Sequence, residues 1–137
     1  MGKTAVIYWS STGNTETMAN AIAAGLKQGG QEAEIFAVAD APDVADYDKV
    51  AFGCPSMGDE TLEESEFEPF YEAAEAKISG KKVALFGSYG WGDGQWMRDW
   101  QKRAEDKGAV VFEEGFIQNY EPDEAACTDF GTRFAAF

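Results

Sequence analysis

Histidine is absent from the 137 residues. That removes imidazole general bases, Ser–His and Cys–His nucleophile pairs, and histidine metal ligands. Cysteine is nearly absent: Cys54 and Cys127 are the two, and they form no CxxC pair. Two thiols cannot build a four-thiolate zinc or iron–sulfur site, and the simplest expectation is a pair of small buried hydrophobes, with a disulfide between them left open. Basic residues are scarce. Lys plus Arg number 11 against 25 Asp plus Glu, for a net charge of −14. Such a chain repels polyphosphate, so no nucleic acid and no anionic membrane is expected as a partner, and partners with basic faces are favoured. No apolar run approaches the ~18 residues of a bilayer span, and no signal peptide is visible after Met1, so the expected compartment is a reducing cytoplasm.

What is present is a well-supplied core. The hydrophobic fraction is 45% and the aromatic fraction 14%, which argues against disorder. The length corresponds to about one domain, and no linker or repeat interrupts residues 1–137. Ala5–Trp9 is a short apolar run ended by a turn cluster, and it reads as a buried strand. Met18, Ile22 and Leu26 recur every four residues in a helical segment over Thr15–Gln28 that Gly29-Gly30 closes. Further strands are expected at Ala33–Val38, Val50–Cys54 and Lys82–Gly87, and one interrupted strand at Ala109–Phe112 and Phe116–Gln118. Further helices are expected at Glu66–Lys77, Gln95–Lys107 and Asp123–Phe137. The alternation predicts an α/β fold, a five-stranded parallel sheet covered on both faces with right-handed crossovers.

In such sheets ligands bind beyond the carboxyl ends of the strands. Three loops therefore matter. The first, Ser10-Ser11-Thr12-Gly13-Asn14-Thr15, is rich in hydroxyls and opens a helix, which makes an anion cradle from N–H and O–H donors. No Lys or Arg lies between Lys3 and Lys27, so neither the P-loop pattern nor its metal–nucleotide chemistry is present, and GxGxxG is missing too. A single terminal phosphate suits the cradle; an ordinary capped strand–helix turn is the blander alternative. The second loop is Pro55-Ser56-Met57-Gly58-Asp59-Glu60, and the third is Ser88-Tyr89-Gly90-Trp91-Gly92 with Asp93 and Gly94. Met57 and Trp91 are large apolar residues in loops, placed to hold a planar ring between them. The loops together fit a ligand with phosphate at one end and an aromatic system at the other.

Tyr8-Trp9-Ser10-x-Thr12-Gly13-Asn14-Thr15, Met57-Gly58-Asp59-Glu60 and Gly87-Ser88-Tyr89-Gly90-Trp91-Gly92 resemble the short-chain flavodoxins of anaerobic bacteria, and the likeness spans essentially the whole chain. The resemblance implies a three-layer doubly wound sheet of order 2-1-3-4-5 and an FMN cofactor. It implies that Ser10 to Thr15 wrap the 5′-phosphate, that Met57 and Trp91 cover the two faces of the isoalloxazine, and that Gly58 and Asp59 share the peptide facing N5. Glu60 would accept from N3, and Ser88, Tyr89, Gly90 and Gly92 would line the ring with Trp91. Pro55 departs from the pattern, standing where some relatives have a phosphate-touching hydroxyl, and whether Ser56 replaces that contact is open.

The resemblance thus implies a low-potential carrier of single electrons on a tightly, non-covalently bound FMN, and no enzyme activity of its own. Its partners would be ferredoxin- or flavodoxin-dependent reductases and oxidoreductases with basic faces, and it would act as a monomer. Gly58 can turn its peptide toward a newly protonated N5 at little cost, because a glycine reaches φ > 0. Six acids and no base lie between Asp59 and Glu68. One carboxylate ~10 Å from an anionic reduced ring opposes it by about 1.7 kcal/mol at an effective dielectric of ~20. Glu63 and Glu64 also fit an acidic helix start. The alternative of an FMN-dependent NAD(P)H/quinone oxidoreductase needs an insertion for a second substrate, and none is apparent. A receiver-type signalling domain needs acids where Ser10-Ser11-Thr12 stand. A Cys-x5-Arg phosphatase needs Arg where Glu60 stands.

Overall fold

The first apolar run becomes β1 (Lys3–Tyr8), in which Thr4 through Ile7 are all buried. Burial on both faces marks a central parallel strand. In the computed structural model, which describes residues 3–10, 13–57, 61–90, 92, 94–119 and 121–137, β1 pairs in parallel with β2 (Glu32–Ala37) and β3 (Lys49–Gly53). β4 (Lys82–Tyr89) pairs with β3 on one side and with two short strands, β5 (Val110–Val111) and β6 (Phe116–Asn119), on the other. β5 meets β4 at Lys82 and β6 meets it at Phe86, so together they form one edge strand broken in the middle. Glu113 sits at the break with a left-handed φ of 53°. The order β2-β1-β3-β4-β5 is the one the resemblance implies.

Side chains alternate across the strands and divide the core in two. Ala5 and Ile7 of β1 face one layer, and Val6 faces the other. The helices α1 (Asn14–Gln28) and α4 (Glu124–Ala135) set Met18, Ile22, Leu26, Phe130 and Phe134 against the Val6 side. The helices α2 (Phe67–Glu75) and α3 (Gln95–Asp106) set Phe67, Tyr71, Trp96 and Trp100 against the Ile7 side. Cys54 lies in the second layer and Cys127 in the first, both as free buried thiols, which settles the question of a disulfide. Burial pushes each thiol up to about 12, so both stay protonated and unreactive.

The connection from β2 to β3, where Asp40-Ala41-Pro42-Asp43 reads as a turn in the sequence, contains two single 3₁₀ turns, Val38–Asp40 and Val44–Asp46. Pro42 interrupts it, and Asp43 turns its carboxylate back to accept from the Ala45 N–H at 2.9 Å. A departure from the expected bounds bears on the site. β4 runs two residues past Gly87, because β6 supplies partners for Ser88 and Tyr89 in Gln118 and Asn119. Among the described residues no helix is long and apolar enough to cross a membrane.

Candidate functional site: the rim at the ends of β1, β3 and β4

Hydrogen bonds continue the sheet beyond the strands and hold the three loops side by side. Trp9 N–H donates to the Gly53 carbonyl at 3.0 Å, Cys54 N–H to Phe86 at 3.1 Å, and Ser56 N–H to Ser88 at 3.1 Å. In the first loop, Ser10 Oγ accepts from the Gly13 N–H at 3.1 Å. Gly13 is the N-cap of α1 at φ 94°, ψ −8°. A side chain there would be strained by the left-handed backbone, yet its Cβ would meet nothing within 4 Å. The glycine thus leaves open space at a helix start and offers no side-chain acceptor of its own to the first-turn N–H groups. Thr17 secures the turn from behind, donating its N–H and hydroxyl to the Gly13 carbonyl at 2.9 and 3.0 Å. Thr15 is 1% exposed, and its Oγ1 lies 2.8 Å from Ser88 Oγ.

In the second loop, Met57 and Thr61 exchange both backbone hydrogen bonds, at 2.9 and 2.8 Å. Pro55 brings neither an N–H nor a hydroxyl to the rim, and Ser56 is half-buried beside it. In the third, Tyr89 leans its ring back on Trp96 with centroids 5.5 Å apart, and Asn119 Nδ2 donates to its carbonyl at 3.2 Å. The structure therefore brings together Ser10, Gly13, Asn14, Thr15, Pro55, Ser56, Met57, Ser88 and the backbone of Tyr89 and Gly90. Ser11, Thr12, Gly58, Asp59, Glu60 and Trp91 lie outside the described residues. Among the described residues the first loop offers hydroxyls and helix-start N–H groups and no Lys or Arg, which fits one phosphate monoester.

The acids that follow the second loop differ in what they do. Glu63 is buried and caps α2, accepting from the N–H groups of Ser65, Glu66 and Phe67 at 2.9, 2.7 and 2.9 Å. Burial alone would raise its pKa, but those N–H donors outweigh it and hold the carboxylate below the usual glutamate value. Glu66 accepts from Trp9 Nε1 at 3.1 Å. Glu68 binds both ends of the Arg103 guanidinium at 2.7 Å, Glu75 joins from the far end of α2 at 2.8 Å, and Arg103 lies 4.9 Å over the Tyr71 ring. Arg103 thus offsets one unit of the acidic run, which the local sequence around Asp59–Glu68 does not reveal.

Glu63→Gln is expected to lower stability at neutral pH by about 1 kcal/mol through the weakened cap. A depressed folded pKa contributes stability that is present above the unfolded value near 4.5 and lost as pH falls through the folded value. The gap between wild type and variant should therefore close in acid, as urea titrations at pH 7 and below pH 4 would measure. A constant gap contradicts the cap.

Comparison with known proteins agrees with this architecture. The family described as Flavodoxin matches residues 6–131. The flavodoxin of Clostridium beijerinckii is 52% identical over 134 residues, covering 95% of this chain and 97% of that one. The flavodoxin of Megasphaera elsdenii is 45% identical, covering 92% and 93%. The solution structure of two-electron reduced Megasphaera elsdenii flavodoxin superposes with a TM-score of 0.90 over 98% of this chain and 99% of that one, at 46% identity. Sheet order and rim define a three-layer, flavodoxin-like α/β protein. The chain belongs to the flavodoxin family, of the short-chain type found in those anaerobes. It is accordingly an FMN-binding electron-transfer protein rather than an enzyme, and the quinone-oxidoreductase alternative is not favoured.

Proposed function

We propose that residues 1–137 form one domain that holds FMN across the three loops and passes single electrons between redox enzymes with basic faces. Ser10, Ser11, Thr12, Gly13, Asn14 and Thr15 take the phosphate. Met57, Gly58, Asp59, Glu60 and Trp91 hold the ring, with Ser88, Tyr89, Gly90 and Gly92 behind it, and Pro55 and Ser56 border the phosphate end. The observation that carries this reading is the cation-free cradle: a left-handed Gly13 with open space before it, and a buried hydroxyl at Thr15 in the first turn of α1. When bound, FMN supplies the one- and two-electron chemistry. The chain's part is to fix the phosphate by N–H and O–H donors, exclude water from the ring faces, and set the surrounding charge. Net charge −14 favours ferredoxin- or flavodoxin-dependent reductases with basic docking faces, a monomeric carrier, and residence in the cytoplasm.

The test is reconstitution. Apoprotein should take up FMN one to one, elute as a monomer, and accept electrons from dithionite in two resolved steps. Alone with NADH and a quinone it should show no turnover. Failure to retain FMN, or steady NADH–quinone turnover, overturns the reading.

A further inference from the structure

Thr15 and Ser88 are 73 positions apart, and their hydroxyl oxygens are 2.8 Å apart with both residues buried, 1% and 5% exposed. Ser88 has a second tie: its carbonyl accepts from the Ser56 N–H at 3.1 Å. It also stands in β4 immediately before Tyr89, Gly90 and Gly92. One residue therefore touches the first loop with its side chain, the second with its carbonyl, and the third through the chain. Two hydroxyls sharing one hydrogen bond have two protons, and only one lies between them. Either oxygen can be the donor while nothing else competes. An acceptor-only dianion at the start of α1 changes that: Thr15 must spend its proton on the anion and can then only accept from Ser88.

We propose that Ser88 is a positioning residue for the phosphate end of the cofactor. It donates to Thr15 Oγ1, fixes Thr15 as a donor toward phosphate, and couples phosphate capture to the loop that leads to the ring. The inference rests on the FMN reading of the rim. Ser88 reaches the phosphate through Thr15, so that part of its loss appears only when a phosphate is present, over whatever smaller effect it has beside the ring.

Apoproteins of the wild type, Ser88→Ala, Ser88→Cys, Thr15→Val and the double variant Thr15→Val/Ser88→Ala are titrated with FMN and with riboflavin, following flavin fluorescence. Ser88→Ala is expected to weaken FMN binding about tenfold and riboflavin binding less than about threefold. Ser88→Cys refills the space with a somewhat larger atom and a poorer donor and should fall between, which guards against a cavity defect in the alanine variant. The double variant should bind FMN within about twofold of Thr15→Val alone, since one hydrogen-bonded chain is broken only once. Equal losses for FMN and riboflavin in both Ser88 variants, or losses that multiply in the double variant, overturn the proposal. A wild-type protein that binds the two flavins equally would instead refute the phosphate reading of the rim.

Discussion

Gly25→Ala should lower the free energy of unfolding by about 2–3 kcal/mol, a large effect for one methyl group. An ideal Cβ at Gly25 would stand 2.0 Å from the Thr128 carbonyl oxygen and 2.8 Å from the Thr132 nitrogen. Both are backbone atoms of α4, and neither can rotate away. The two helices would have to part, and α4 cannot withdraw without loosening Phe130 and Phe134 from the sheet. Gly131 makes the reciprocal approach, with its Cβ position 2.1 Å from the Ile22 carbonyl oxygen, so Gly131→Ala should cost a similar amount. The Thr132 hydroxyl, which donates to the Gly25 carbonyl at 3.2 Å, would be displaced as well. Asn20→Ala, on the exposed side of α1, serves as the control and should change stability by less than about 0.5 kcal/mol. Urea midpoints at constant slope measure all three. Gly25→Ala no worse than Asn20→Ala would mean that α1 and α4 do not meet as closely as described.

That contact illustrates what can be read from sequence and what cannot. The four-residue spacing of Met18, Ile22 and Leu26 announces α1 and its buried face, because burial and helical period are local facts. The broken strand at Ala109–Phe112 and Phe116–Gln118 is equally legible and becomes β5 and β6. Gly25 and Gly131 look like ordinary small residues in helices, since the reason for each is a backbone more than a hundred positions away. Arg103 looks like a surface base of α3 until Glu68 and Glu75 close on it. At the rim, the hydroxyl-rich turn and the loop positions follow from strand ends alone. The pairing of Thr15 with Ser88 does not, because it depends on β6 extending β4 by two residues. Glu63 is legible only as an acid near a helix start, because the three N–H groups from which it accepts converge on it only once the turn has folded.

FMN should bind roughly a thousandfold more tightly than riboflavin, and the ratio should grow as salt is added. Two charge-assisted hydrogen bonds of about 2 kcal/mol each already give that factor. The direction of the salt effect is the more telling half. A phosphate monoester is close to a dianion at neutral pH, with a second pKa near 6. It must approach a chain of net charge −14 at a loop with no Lys or Arg between Lys3 and Lys27. Long-range repulsion therefore opposes entry, while the short-range N–H and O–H donors that hold the phosphate are little screened. Raising ionic strength from ~0.01 M to ~0.15 M shrinks the Debye length from about 30 Å to about 8 Å and removes most of that repulsion. The FMN dissociation constant should fall several-fold over this range, and that of uncharged riboflavin should stay flat. A site built on a lysine would do the opposite, losing attraction as salt rises. Fluorescence titrations of apoprotein at the two salt concentrations measure both constants, and an FMN constant that rises with salt would require a cation at the phosphate that the first loop does not have.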